Sequence, residues 1–248
     1  MVLTIPGDDP RAVAIVAAIE GGDTDALQRH LAGNPELAAV RVVDRRGVSR
    51  TLLHIVADWP GHFPHGSRTV AVLVAAGADV NGRVMHPGPK GSPETALHWA
   101  ASSDDVAVLD ALLDGGADIE APGAVFTGGT PMSDAVVFAQ WRAAGRLLAR
   151  GATTTIWQAA ALGLLDRVRE FCSTGPPPAR HALTNAFWNA CRGGRRATAE
   201  YLLDRGADLN WVGHDGKTPF NVAQECGDDN LVRWLRESGA KGAEELKC

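Results

Sequence analysis

Tyrosine is almost absent from this chain of 248 residues: there is one, against six phenylalanines and seven tryptophans. So strong a preference for indole asks for an explanation. Cysteine is scarce as well. Cys172, Cys191, Cys226 and Cys248 stand far apart with no CxxC pair, which argues against a disulfide framework or a zinc site; reduced thiols and no bound metal are expected. No run of about 18 apolar residues occurs, so no membrane span is expected. The start, MVLTIPGDDPRA, lacks the basic and apolar regions of a secretory signal, and the expectation is a cytoplasmic protein. Positive charge is not in excess: 24 Lys and Arg face 29 Asp and Glu, a net charge of −5 without a basic stripe. Binding of nucleic acid through its phosphates is thereby disfavoured. Signatures of common catalysts are missing too. There is no GxxxxGK[ST], GxSxG or HExxH, and GGAD and GGT fall at helix ends and hairpins rather than in a strand-turn-helix. No cofactor is expected. The remaining composition, 45% hydrophobic and 21% charged, is ordinary for a globular protein, and the wealth of Ala, Arg and Gly hints at a GC-rich bacterial source.

What the chain does have is a returning phrase. It reads VAAGADVN at 74–81, LDGGADIE at 113–120, LARGAT at 148–153, LDRGADLN at 203–210 and RESGAK at 236–241. Its glycines, Gly77, Gly116, Gly151, Gly206 and Gly239, are separated by 39, 35, 55 and 33 residues. A degenerate copy, CSTG at 172–175, divides the longest gap into 24 and 31. A second phrase precedes the first: TLLHIVAD at 51–58, TALHWAAS at 95–102, TPMSDAVV at 130–137 and TPFNVAQE at 218–225, with degenerate copies IWQAAALG at 156–163 and AFWNACRG at 186–193. The opening Thr is a helix cap, and Pro after it forfeits no hydrogen bond. The small Ala pair lets one helix lie close to the next. Leu112–Leu113 and Leu202–Leu203 form the buried stripe of a second helix, which Gly116 and Gly206 end where a positive φ is needed. One such unit cannot hide its own apolar face; stacking does it.

Together the phrases resemble the TPLHxAA and LLDxGAD signatures of ankyrin repeats, whose period is about 33 residues. The resemblance recurs in register over roughly residues 8–241. It implies an all-α ankyrin-repeat solenoid of about seven helix-pair units with β-hairpin-like fingers, in a single domain, 1–248. The units are expected near 8–47, 48–81, 82–120, 121–153, 154–182, 183–212 and 213–241, with a tail at 242–248. RAVAIVAAIEGGDTDALQRHLAGNPELA would be the pair that caps the stack. The implied function is a non-catalytic scaffold that binds a protein partner in its concave groove and on its long hairpins. His54 and His98 occupy the family's own His position, where a structural hydrogen bond is implied. Trp157 and Trp188 are read as replacing that His in the two degenerate copies.

Departures from the pattern point to a site. They are the insertion DWPGHFPHGS at 58–67, the hairpin NGRVMHPGPKGSPE at 81–94 and the hairpin IEAPGAVFTGGT at 119–130, with Val125 and Phe126 near its tip. Long loops on a rigid scaffold commonly carry binding. The proline run at 175–179 reads as a stiffened connection. In ankyrin repeats the groove is lined by the two positions after the Ala pair. Here these are Asp58 and Trp59, Ser102 and Ser103, Val137 and Phe138, Ala161 and Leu162, Arg192 and Gly193, and Glu225 and Cys226. Phe138, Leu162 and Trp59 make an apolar strip, the usual mark of an interaction site. The expected binding residues are Trp59, Trp99, Ser103, Phe126, Phe138, Trp157, Leu162, Trp188, Arg192 and Trp211; Trp141 and Trp234 are expected in the core. If the hairpins cover the groove, the pocket would instead suit a small apolar or aromatic ligand. An enzyme is the alternative reading. His54 and Asp58 are four apart on one helical face, His62 and His65 follow, and His98 stands in the next unit with Asp104 and Asp105, so a His/Asp acid–base group is conceivable. Cys191 and Cys226 read as buried structural thiols rather than nucleophiles.

Overall fold

In the computed structural model, which describes residues 3–88 and 91–247, the chain is helical apart from one small sheet. It divides into two compact units, Met1–Ala152 and Thr153–Cys248. No helix among the described residues is long and apolar enough to cross a membrane.

The first unit runs β1 (Thr4–Pro6), α1 (Pro10–Glu20), α2 (Thr24–Gly33), a 3-10 turn (Pro35–Ala39), β2 (Arg41–Val43), β3 (Ser49–Thr51), α3 (Leu52–Val56), α4 (Gly66–Ala75), α5 (Ala96–Ser102), α6 (Val106–Asp114), α7 (Pro131–Val137) and α8 (Trp141–Ala149). Its helices form two layers. α1, α3, α5 and α7 pack in succession on the inner side, and α2, α4, α6 and α8 do the same on the outer side. Between them lie Leu52, Leu53, Leu97, Leu109, Leu112, Met132 and Leu147, none with measurable exposure. Each such side chain contributes about 1.5–3 kcal/mol of burial, so stacking outweighs the weak propensity of α3, α5 and α7, none longer than seven residues.

Local chemistry places the helix ends. Thr51 with His54 and Thr95 with His98 close capping boxes at the starts of α3 and α5. After α6, the Gly116 amide donates to Leu113 O at 3.1 Å and the Ala117 amide to Leu112 O at 2.9 Å, the Schellman pattern that a left-handed residue permits. The same pair of bonds follows α4 and α8, and Gly77, Gly116 and Gly151 have φ of +95°, +91° and +95°. Successive fingers are stitched through Asn81, whose Oδ1 accepts from the Asp118 amide at 2.8 Å and whose Nδ2 donates to Gly116 O at 3.3 Å.

The sheet corrects the all-α expectation. β1 pairs parallel with β2 (Ile5 opposite Val42), and β2 antiparallel with β3 (Val42 opposite Arg50). Three-residue strands are too short to show an alternating pattern, and β1 meets its partner only across the first helix pair.

The second unit contains α9 (Ile156–Leu162), α10 (Leu165–Ser173), α11 (Arg180–Arg192), α12 (Arg196–Asp204), α13 (Pro219–Cys226) and α14 (Asp229–Glu237), then a 3-10 turn (Ala243–Leu246). α9, α11 and α13 lie side by side around Phe187, Ala190, Phe220 and Ala223. α9 and α11 approach so closely that a Cβ on Gly193 would sit 2.1 Å from the Ala161 carbonyl. Gly193, expected to line the groove, is therefore the glycine that permits this contact. Trp141 and Trp234 are half-buried, and Trp234 packs against the core of its unit.

Candidate functional site

The signature histidines are fully committed. His54 and His98 have no measurable exposure. Nδ1 of His98 accepts from the Thr95 amide at 3.1 Å and faces the Thr95 hydroxyl at 2.9 Å. That leaves the proton on Nε2, which donates to Gly129 O at 3.4 Å. His54 repeats the arrangement with Thr51 and with Glu94 O at 3.1 Å. Burial pushes both imidazoles down from 6.5 to about 4, so they are neutral at pH 7. Asp58, the proposed acid partner, turns elsewhere: Oδ2 takes Arg50 Nη1 at 2.5 Å and Oδ1 the Trp59 amide at 2.9 Å. Geometry thus gives His54, Asp58 and His98 structural partners and does not join them into an acid–base group.

The inserted segment is anchored as well. The Asp105 carboxylate caps α6 through the Val108 amide at 3.1 Å and accepts from the His62 amide at 2.7 Å, while His62 Nε2 lies 3.1 Å from Ser103 O. Ser103, expected on the open groove face, is only 9% exposed; the returning loop covers it, with Gly61 against its Cβ.

Aromatic groups stay uncovered beside it. Trp59 is 82% exposed and Phe138 41%. They hold equivalent places, eight residues after the capping threonines Thr51 and Thr130. Phe126, at the tip of the finger before α7, is 71% exposed and packs on Phe138 with ring centres 5.8 Å apart. Val125 is exposed next to it. Trp99 is half-buried and sets its ring edge-on to His54 at 5.0 Å.

Beneath that finger lies a feature the sequence reading missed. Asp134 on α7 is buried, and neither carboxylate oxygen has a hydrogen bond of good geometry. Its polar neighbours are the Glu94 carboxyl and the Val125 amide. Glu94 in turn meets the Trp99 indole N–H. Burial, reinforced by the Glu94 charge, pushes Asp134 up to about 8, and burial raises Glu94 too. An acid directly after a signature Ser in an inner helix was the available signal.

In the second unit, Trp188 Nε1 donates to Lys217 O at 3.0 Å, and the half-buried Arg192 guanidinium stacks over its ring at 5.8 Å. Trp157 and Leu162 are half-buried, and Trp157 packs against the core of its unit. Trp211 is half-buried with His214 edge-on at 5.6 Å. Cys191 is buried as expected, but Cys226, expected buried, is exposed at the end of α13; Cys248 lies outside the described residues, as do positions 89 and 90 of the expected long hairpin.

Family models for ankyrin repeats match residues 156–244, as three copies, and residues 94–124, as one. The chain is an ankyrin-repeat protein. No curated protein matches it. Within the ankyrin signature the structure corrects one assignment. The capping box at the start of α9 joins Thr155 to Gln158, so Gln158 holds the signature His position and Trp157 the preceding apolar one. Trp188 does stand in place of the ankyrin His: its bond to Lys217 O, just before Thr218, matches that of His54 to Glu94 O, just before Thr95.

Proposed function

We propose that this ankyrin-repeat protein is a non-catalytic binding module that holds a protein partner on the inner-helix face of residues 1–152, anchored by Trp59, Phe126 and Phe138. Ankyrin repeats generally mediate protein–protein interaction. The observation that carries the reading is the exposure of three large aromatic side chains at groove and fingertip positions, where water is a poor neighbour and a partner a good one. The commitment of both imidazoles to backbone and threonine partners weighs against acid–base chemistry at the same face. The test is quantitative co-purification from the native cell with the wild-type chain and the Trp59→Ala/Phe126→Ala/Phe138→Ala variant. A partner recovered near one-to-one on the wild type should fall at least about tenfold on a variant that keeps its melting temperature, since hot-spot truncation removes about 2 kcal/mol or more. Equal recovery on both chains, or a metabolite that raises the melting temperature while no protein co-purifies, would overturn the reading.

A further inference from the structure

We propose that Glu94 and Asp134 form a recognition subsite for one cationic side chain, a guanidinium or an ammonium, presented by the protein that docks on the aromatic face of residues 1–152. The inference rests on the groove reading and names the chemistry of its partner.

Two neighbouring acids carry the argument. Asp134 is 1% exposed and both of its oxygens lack a hydrogen bond of good geometry. Asp105, 3% exposed in the same unit, shows how a resident buried acid is normally satisfied: two backbone amides point at it. Asp134 has instead another carboxyl, Glu94, and the amide of Val125. Among the described residues, the arginines of the neighbourhood are engaged elsewhere. Arg50 holds Asp58, Arg83 donates to the Pro93 and Pro122 carbonyls, and Arg41 donates to Ser49 and the Arg83 carbonyl. Among the described residues, the charge of His86 favours ionised Glu94. A buried pair of acids without a cation keeps a proton that the ordinary carboxyl would have lost, and a cation delivered from outside takes that proton's place.

Position and charge agree. Asp134 precedes Phe138 by one helical turn, and Val125 is followed by Phe126, so a cationic side chain reaching the acids would be flanked by the exposed rings. Residues 1–152 hold 17 acidic and 12 basic residues, whereas 153–248 hold 12 of each; the whole net charge lies in the unit that bears the acid pair. Entry requires the fingertip to lift from Asp134, where the Ser92 hydroxyl ties it by donating to Val125 O at 3.3 Å.

The test titrates the full chain with N-acetyl-arginine amide and with N-acetyl-citrulline amide, which has the same shape without the charge. The reporter is the NMR signal of the Trp99 indole N–H. The arginine probe should bind saturably, about tenfold more tightly at pH 7 than at pH 6, because below the raised carboxyl value it must displace a proton. Asp134→Asn and Glu94→Gln, each checked for an unchanged fold by thermal melting, should lose that pH dependence and most of the affinity. Saturable binding of citrulline equal to that of arginine, no saturable binding of either, or an Asp134→Asn chain that binds arginine like the wild type would each overturn the subsite. Co-purification separates the two claims: a partner lost from the aromatic variant but retained by Glu94→Gln/Asp134→Asn leaves the groove reading standing and removes the acid pair from it.

Discussion

At the scale of single residues, one position explains much of the repeat. Three residues after the capping threonine stand His54, His98, Gln158 and Asn221, each closing a capping box; in α11, which runs on from Arg180 without such a cap, Trp188 takes the same place. The common demand is a polar group that holds the backbone of its own or the next repeat. Trp188 meets it with Nε1, which suggests why indole rather than phenol is used there: the donor sits on the rigid ring at the right reach. Trp188→Phe should keep the ring and lose the bond to Lys217 O, costing about 1–2 kcal/mol in urea unfolding, whereas Gly193→Ala should cost more because its Cβ would strike the Ala161 carbonyl. A Trp188→Phe chain as stable as the wild type would show that the ring alone matters. The histidine roles and the positive-φ glycines were legible in the sequence because their chemistry fixes their place. Trp157 was not: α9 reaches left-handed Gly163 eight residues after Thr155, whereas the equivalent turns at Asp104, Ala139 and Gly227 come nine after Thr95, Thr130 and Thr218. One missing residue moves the alignment by one place, and counting from the wrong end puts Trp157 on the His.

At the scale of elements, the loops were legible as departures but not as contacts. The insertion after α3 was visible from its length and its Pro and Gly content. That it turns back onto Ser103 was not, because the tie is made by Asp105, which the sequence set beside His98 as a possible acid–base partner and which the structure places as the cap of α6. Asp105→Asn should therefore act at two places. It keeps one acceptor for the Val108 amide but weakens the hold on the His62 amide, and we expect a loss of about 1–2 kcal/mol together with faster hydrogen exchange at residues 61–63. Exchange unchanged there, with α6 alone destabilised, would mean that the insertion holds itself in place. The finger before α7 shows the same limit. Its tip residues, Val125 and Phe126, could be picked out by their apolar character in a Gly-rich hairpin, whereas the acid beneath them could not. Asp134 follows a signature position in the helix and Glu94 ends a different finger, and only the folded stack of α5 on α7 brings the two together.

At the scale of the whole molecule, buried titratable groups set how stability responds to pH, and they act in opposite directions. The unfolded chain protonates His54 and His98 from about pH 6.5 downward, whereas the folded chain keeps them neutral until about 4. Stability is therefore lost as pH falls through that window, by up to about 3 kcal/mol for each imidazole. Asp134 behaves in the reverse sense. Unfolded, it ionises above 3.8; folded, it holds its proton to about 8. Its contribution is full below the lower value and lost as pH rises to the upper one, and Glu94, also raised by burial, adds to the same slope. Exposed acids held low by arginines, such as Asp9 by Arg11 and Glu245 by Arg236, change only below about pH 4. Between pH 4 and 6.5 two imidazoles oppose the acid pair, and above 6.5 the acids act alone. Urea unfolding of the wild type should accordingly show greatest stability near pH 6.5 and a decline toward pH 8. Asp134→Asn should flatten that decline and be more stable than the wild type at pH 8 by on the order of 2 kcal/mol, because an amide needs no proton to be neutral. A wild-type stability that keeps rising from pH 6.5 to 8 would mean that the acids beneath the finger are already ionised, and the raised affinity of Asp134 for its proton would have to be abandoned.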